Sequence, residues 1–313
     1  MTLIRKPAEL KVQPKIKMLV YGQAGIGKTT IALSAPSPLL FDFDGGINRV
    51  NYAHIKDTVQ IEKYDDLLEV INKEDLSSYE TLVIDTGGKC MDRMTDYIIH
   101  SNSKMGRANG TLTVQGYSER KSIFTALCRL IAEKNKHIIF VAHRQTQQDG
   151  DDMRYVPIFG GKNYDSLVTE LDLVGYMEAN GRKRTITFDP TSRNDGKNTC
   201  YMPAVMDIPL LVDEKGNPVG ENNFISEKII KPFIQRLKER QKISEAYHKV
   251  LEEIKEQIVL ITDAESANDF CNRINAFKHV GSSKAMAAKL VSEKAKALGL
   301  KLNKETRKYE PAA

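Results

Sequence analysis

The chain of 313 residues is 41% hydrophobic and 28% charged, which is typical of a soluble globular protein with one large core and a smaller appendage. No apolar run is long enough to span a bilayer, and Met1–Pro7 lacks the apolar centre of a signal peptide, so we expect a cytoplasmic protein without a membrane partner. Four separated cysteines form no C-x-x-C pair and are expected to be reduced thiols rather than zinc ligands: Cys90, Cys128, Cys200 and Cys271.

The net charge of +5 is unevenly distributed along the chain. Residues 226–313 hold 18 Lys and Arg against 12 Asp and Glu, so they carry all of the basic excess. Such an excess is either an electrostatic footprint for nucleic acid or a set of solvated, lysine-rich helix faces, and composition favours neither.

The first predicted strand, Ile16–Tyr21, leads into the phosphate-loop pattern G-x-x-x-x-G-K-T, and a helix is predicted to begin at Thr29. In this context the glycines let consecutive N–H groups face phosphates, and the helix N-terminus favours negative charge. We expect Lys28 to reach the β- and γ-phosphates and the Thr29 hydroxyl to ligate Mg²⁺. The predicted nucleotide contacts are Gly22, Gln23, Ala24, Gly25, Ile26, Gly27, Lys28, Thr29 and Thr30.

Two later predicted strands end in carboxylates. Leu39–Gly46 contains Asp42 and Asp44, which point to the same side of a strand because its period is two. At the carboxyl edge of a parallel sheet that side faces the nucleotide, and the alternative is an Asp-Gly turn with solvated carboxylates. Thr81–Thr86 carries Asp85 at the Walker B position, where a carboxylate accepts hydrogen bonds from Mg²⁺-bound water.

A further predicted strand, His137–Gln145, also has a polar end. There His143 occupies the place where P-loop ATPases often carry a sensor of the γ-phosphate, and the alternative is a structural strand-end histidine. The polar, glycine-bearing segments Ser103–Gly116 and Thr146–Tyr164 are predicted to be loops.

The last part of the chain changes pattern. A β-hairpin is predicted across Asn180-Gly181, and helices are predicted from residue 226 onward: Glu227–Gln241, Ile243–Ile261, Asp263–Phe277 and Ser282–Leu298. We therefore divide the chain into an arm at 1–15, a core at 16–240 and a helical appendage at 241–313.

Strands that alternate with helices around a phosphate loop predict an α/β domain with a mainly parallel central sheet flanked by helices. The chain lacks the N-K-x-D motif of GTPases, an LSGGQ-like ABC signature and the arginine-rich lid of small-molecule kinases. An AAA+ protein stays open as an alternative, because the C-terminal helices could contain its sensor arginine.

Residues 15–240 resemble the short phage RecA-like ATPases, some of which act as single-strand annealing recombinases. The resemblance rests on an ordered series of segments: Gly22–Thr30, Phe41–Gly46, Asp57–Gln60, Leu82–Thr86, Gln115–Tyr117, Ile139–His143, Pro157–Lys162 and Asp172–Val174. It implies a RecA-like core, ATP and Mg²⁺ as ligands, single-stranded DNA as a partner, and an ATP-dependent homo-oligomer or filament. A replication or single-strand-binding protein is a further implied partner.

The resemblance also implies roles for single residues. Asp44 takes the place of the acid that polarises the attacking water, although the bacterial recombinase has Glu there, so we expect slow hydrolysis. Lys197 resembles the lysine that neighbouring subunits insert at the γ-phosphate, with Arg193 as its competitor. The catalytic set is then Lys28, Asp44, Asp85, His143 and Lys197, with Thr29 and Asp85 at the metal.

The two predicted loops line DNA in the filaments of the resembling proteins. Their cations are expected to contact DNA phosphates, and the alternative is ordinary loops with solvated charge. These cations are Lys104, Arg107, Arg144 and Lys162.

Three functions follow from these expectations. The first is an ATP-driven recombination or annealing protein on single-stranded DNA. The second is a loader or remodelling ATPase whose partner, another replication protein, binds residues 241–313. The third is a scaffold that binds ATP but hardly hydrolyses it.

Overall fold

The computed structural model describes residues 14–150 and 152–312. Two compact units are present: the first is Gln13–Ile234, and the second contains Gln235–Ala313. Most of the predicted arm at 1–15 lies outside the described residues. The division falls after Ile234, whereas the sequence pattern had placed a boundary after residue 240.

One ten-stranded sheet organises the first unit. Its strands are β1 Lys17–Gly22, β2 Pro38–Asp42, β3 Thr58–Gln60, β4 Thr81–Asp85, β5 His137–Asp149, β6 Asp152–Pro157, β7 Leu173–Asn180, β8 Lys183–Thr187, β9 Lys197–Asn198 and β10 Val205–Ile208. The order across the sheet is β10-β8-β7-β1-β5-β4-β2-β3, with β6 paired to β5 and β9 to β7. All pairs from β7 to β3 are parallel, which confirms the predicted mainly parallel α/β sheet.

Helices cover both faces of this sheet. The helices of the first unit are α1 Lys28–Ala32, α2 Tyr64–Lys73, α3 Gly87–Ser101, α4 Val114–Glu133 and α5 Tyr164–Val168. Alternate strand residues point to opposite faces. Leu19 and Tyr21 therefore pack with α2, α3 and α4, while Met18 and Val20 pack with α1 and the helical turns at Ile225–Ile230. Because both faces are covered, the central strands are nearly continuous apolar runs.

Both segments that were predicted as loops contain regular structure. Between α3 and α4 a 3₁₀ turn at Ser103–Met105 precedes a bridge that pairs Gly106 with Leu112, and α4 already begins at Val114. The segment Thr146–Tyr164 holds the end of β5 and all of β6, which form an antiparallel hairpin. The prediction was therefore wrong for Thr146–Tyr164, which contains a hairpin, whereas Ser103–Gly116 is a loop except for the short turn, the bridge and the start of α4.

The C-terminal unit has its own core. One helix, α6 Lys231–Val259, replaces the two predicted ones, because no Gly or Pro interrupts residues 241–243. It is followed by α7 Ala264–Arg273, α8 Ser283–Ala297 and a small hairpin of β11 Leu300–Leu302 with β12 Tyr309–Pro311 that the sequence pattern did not predict. Among the described residues no helix is both long enough and apolar enough to cross a membrane.

Candidate functional site

The segment between β1 and α1 turns sharply around three glycines. Gly25 and Gly27 adopt φ of 78° and 91°, in the left-handed region that glycine reaches without strain. A Cβ on Gly22 would lie 2.2 Å from the backbone carbonyl oxygen of Met177 on β7, so only glycine fits where the loop leaves the sheet. Gly27 is also the N-cap of α1 and has no side chain to bond the first N–H groups of that helix. The first backbone N–H groups of α1 therefore have no side-chain cap and can donate to an anion.

Lys28 lies at the first position of α1 and is 6% exposed. Its Nζ donates a hydrogen bond to the carbonyl oxygen of Gln23 in the same loop at 2.7 Å. Burial lowers the pKa of the Lys28 ammonium to about 8, against the opposing effect of Asp85 and Asp44. An incompletely solvated ammonium in a glycine-rich turn is suited to binding a phosphate, which would replace the carbonyl as its acceptor.

Thr29 and Asp85 meet at the end of β4. The Thr29 hydroxyl donates to Asp85 Oδ2 at 2.5 Å, and Asp85 is 4% exposed. Burial raises the pKa of the Asp85 carboxyl to about 6; the Thr29 hydrogen bond and Lys28 lower it, while Asp44 and Asp42 raise it. Mg²⁺ in nucleotide sites takes one or two protein oxygens and completes its shell with water and phosphate, so this hydroxyl–carboxylate pair fits such an ion.

The two acids at the end of β2 have different surroundings. Asp42 is 3% exposed, and its carboxylate accepts hydrogen bonds from three backbone N–H groups of the following turn: Asp44 at 3.2 Å, Gly46 at 3.0 Å and Ile47 at 3.2 Å. Because β2 ends at Asp42, the period of two does not extend to the second acid, and the expectation that both share one side was wrong. Asp44 alone of the two faces the phosphate loop.

His143 stands on β5 directly beside Gly22 of β1 in the sheet register. Burial lowers the pKa of the His143 imidazole, Lys28 and Arg49 act in the same direction, and Asp44 opposes them. The ring is therefore neutral at physiological pH and offers one donor and one acceptor. This position, at the end of a strand and next to the loop, is the one the sequence pattern indicated for a sensor.

A cavity of about 490 Å³ joins these groups. Of the predicted catalytic and metal-site residues it brings together Lys28, Thr29, Asp44, Asp85 and His143, and Arg49 and Thr86 also line it. Sequence reasoning missed Arg49 because its signal, one arginine in a polar turn, is indistinguishable from a surface charge.

A second cavity of about 460 Å³ adjoins the other side of the phosphate loop and shares Gly27 and Thr30 with the first. Its walls are mainly apolar, and Arg184 on β8 donates from Nε to the carbonyl oxygen of Ile26 at 3.0 Å. Its apolar lining includes Ile31, Met177, Ile208, Leu210 and Leu211. No motif marks these residues in the sequence, since they come from α1, β7, β10 and the segment after β10.

The predicted DNA contacts lie in two places. Lys104 and Arg107 are exposed on the turn between α3 and α4. Arg144 follows His143 on β5, where its guanidinium carbon lies 3.9 Å from the centre of the Tyr155 ring and its Nη1 donates to the Tyr176 hydroxyl at 3.1 Å. The side chain of the fourth, Lys162, lies outside the described part of the chain.

Lys197 does not lie in the phosphate cavity of its own chain. It stands on β9 opposite Val174, near the amino end of β7, and its Nζ donates to the carbonyl oxygens of Val168 at 2.9 Å and Thr169 at 3.2 Å. The ammonium thus caps the end of α5. Its competitor Arg193 is exposed and lies 5.2 Å from the Tyr155 ring centre.

The part of the chain that forms the phosphate cavity matches a known protein family. A family model described as an AAA domain matches residues 14–200, more than half of the chain. A search among curated proteins finds no match. A solved structure, the KaiC-like protein PH0186 from the hyperthermophilic archaeon Pyrococcus horikoshii OT3, aligns with 62% of this chain and 89% of its own at 12% identity and a TM-score of 0.36.

Proposed function

The chain belongs to the AAA domain family and is a nucleotide-binding ATPase domain, and from this premise we propose that it hydrolyses ATP while acting on single-stranded DNA in phage-type recombination, annealing or repair. The observation that carries the ATPase part is the single cavity that joins the phosphate loop to Asp44, Asp85 and His143.

Binding of the triphosphate begins at the phosphate loop. The free N–H groups of the loop and the Lys28 ammonium bind its phosphates, and Lys28 exchanges the Gln23 carbonyl for a phosphate oxygen. The adjoining apolar cavity, which shares Gly27 and Thr30, is the place for the base. The two cavities meet at the loop, as a nucleotide with its base and phosphates on either side requires.

Mg²⁺, when bound, neutralises phosphate charge and polarises the scissile bond. Thr29 and Asp85 would hold it, directly or through water. Asp85 is ionised at pH 7, since the pKa of its carboxyl is about 6.

Asp44 and His143 then act on the far side of the phosphates. Asp44 orients the attacking water and accepts its proton, and the neutral His143 ring hydrogen-bonds the terminal phosphate. A carboxylate that is one methylene shorter than glutamate reaches less far, so we expect slow turnover.

The DNA part of the proposal is supported by the continuity of β5. This strand carries His143 in the cavity and continues without interruption into the β5–β6 hairpin with Arg144. The N–H of Ile158, just after β6, also donates to the carbonyl oxygen of His143 at 2.7 Å. A shift of His143 on phosphate binding would therefore move both arms of the hairpin.

The decisive experiment measures ATP hydrolysis with and without single-stranded DNA. We expect DNA to stimulate hydrolysis, Lys28→Ala to abolish it, and Arg107→Ala with Arg144→Ala to remove the stimulation while ATP affinity stays intact. Arg129→Ala, an exposed arginine on α4, is the matched control. Undiminished stimulation in the double variant would reject these DNA contacts.

The runner-up, a loader or remodelling ATPase, is favoured by the separate core of the C-terminal unit. It predicts little DNA affinity and a stable complex with a replication protein through residues 241–313. A pull-down with and without these residues distinguishes the two functions.

A further inference from the structure

The turn after β2 carries two opposite charges into the phosphate cavity. Asp44 and Arg49 both line it, and Arg49 Nη2 lies 3.7 Å from Asp44 Oδ2. Asp42 fixes the backbone beneath them through its three N–H contacts. Between the two charges lies Gly46, where a Cβ would come within 2.8 Å of Asp44 Oδ1 and 3.1 Å of Arg49 Nη2. Asp42 therefore holds the backbone of a turn from which both charged side chains reach the cavity.

The ion pair itself is weak. Its separation exceeds a hydrogen bond, and the Arg49 side chain is 73% exposed against 21% for Asp44. Such exposed pairs contribute little to stability, so a stronger acceptor can take the arginine at small cost. A phosphate group is that acceptor, because guanidinium binds it through paired, charge-assisted hydrogen bonds.

The charge balance of the cavity points the same way. Among the described residues that line it, Lys28 and Arg49 are the only lysine or arginine side chains, facing the carboxylates of Asp44 and Asp85. Lys28 is fixed by its place in the loop, and it contacts the β-phosphate, which ATP and ADP share, as well as the γ-phosphate. Arg49, which stands with Asp44 on the turn opposite, is free to read the terminal one.

We propose that Arg49 exchanges Asp44 for the γ-phosphate, so that one residue of the same chain both distinguishes triphosphate from diphosphate and releases the Asp44 carboxylate. This inference rests on the proposed function, since it concerns the same site. With diphosphate bound, Arg49 stays on Asp44. With triphosphate bound, the arginine leaves and the carboxylate becomes free to orient water.

Equilibrium binding of Mg²⁺–ATPγS and of Mg²⁺–ADP tests the exchange without relying on turnover. Arg49→Ala should weaken ATPγS binding by about tenfold or more and change ADP binding by less than about twofold. Arg49→Lys should restore part of the ATPγS affinity that Arg49→Ala loses. Asn48→Ala, an exposed neighbour on the same turn that does not line the cavity, should change neither affinity.

Asp44→Asn gives the second arm of the test. If Asp44 competes with the phosphate for Arg49, removing its charge should strengthen ATPγS binding several-fold and leave ADP binding unchanged. In the double variant with Arg49→Ala this gain should vanish, because no arginine is left to compete for. A gain that persists in the double variant would show simple repulsion by Asp44 and overturn the exchange.

The remaining outcomes separate this inference from the proposed function. Equal losses for ATPγS and ADP in Arg49→Ala, or no loss in either, reject the inference while nucleotide binding stands. Failure of the unaltered protein to bind either nucleotide rejects both. A loss seen only at concentrations where the protein self-associates, as judged by sizing, would place Arg49 at a neighbouring copy's nucleotide and overturn the exchange within one chain.

Discussion

Lys28 and Asp85 face one cavity, and burial moves their pKa values toward each other, to about 8 and about 6. Lys28 needs its proton to bind phosphate, so nucleotide affinity should fall as the pH rises above about 8. Asp85 must lose its proton to assist Mg²⁺, so the Mg²⁺-dependent part of the affinity should fall as the pH drops below about 6. Titration of ATPγS binding from about pH 5 to about pH 9, with and without Mg²⁺, measures both limbs.

Asp85→Asn is the control for the acid limb, which should disappear in that variant; an unchanged limb would assign it to another group.

The same two pKa shifts act on the free energy of unfolding with the opposite sign. The raised pKa of Asp85 stabilises the fold below 3.8, and that contribution is lost as the pH rises through about 6. The lowered pKa of Lys28 adds stability as the pH rises from about 8 toward 10.5.

The buried Asp42 carboxylate supports a second prediction at this scale. Asp42→Ala leaves three N–H groups of the turn without their acceptor, so the free energy of unfolding should fall by about 2 kcal/mol or more. Asp44→Asn keeps the backbone N–H that donates to Asp42 and alters only a side chain that makes none of these contacts, so it should change the free energy of unfolding little. Chemical denaturation of both variants measures the difference, and equal losses would contradict a special role for Asp42.

The sequence alone identified residues that belong to a continuous pattern. Lys28 and Thr29 stand in one motif, and Asp85 ends an unmistakable apolar strand. Asp42 and Asp44 were not separated, because the last residue of a strand is not visible in its alternation. Arg184 reaches its cavity through the folding of a distant segment, which no local pattern reports, and Arg49 is a single arginine in a polar turn that resembles a surface charge.

At the scale of elements, α4 contains a glycine that helix propensity does not explain. Gly116 lies in its first turn, and a Cβ there would be 2.6 Å from the backbone carbonyl oxygen of Met105. Gly116→Ala should therefore destabilise the protein by about 1–3 kcal/mol, although alanine favours helices by roughly 1 kcal/mol. Thermal unfolding measures it.

Ser122→Ala on the exposed side of α4 is the control, and it should be neutral or slightly stabilising. If Gly116→Ala stabilised the protein instead, the 3₁₀ turn that contains Met105 would have moved away from the new Cβ at little cost in free energy.

The elements that pattern reasoning missed share a physical cause. The apolar β1, β4 and β5 were found because both of their faces are buried. The β5–β6 hairpin was taken for a loop because residues 145–148 of its first strand are all exposed, so no buried face imposes alternation there. Strand order was equally out of reach, since it depends on pairing between residues far apart.

For the whole molecule, the two cores predict independent behaviour. A chain that ends after residue 241 keeps Phe233 and Ile234, which pack against the first core, and loses the C-terminal core. We expect it to fold and to bind ATPγS with nearly unchanged affinity. Calorimetry and equilibrium binding check this, and loss of nucleotide binding would make the second unit part of the site.

The central sheet ends in very short strands on both sides, three residues in β3 and four in β10. Exposed strand edges invite pairing with another copy, and short ones give such pairing little backbone to join. If copies of this protein line up along DNA, adding strand to strand is a poor way to do it. Contacts between side chains, rather than between strand backbones, would then have to hold neighbouring copies together.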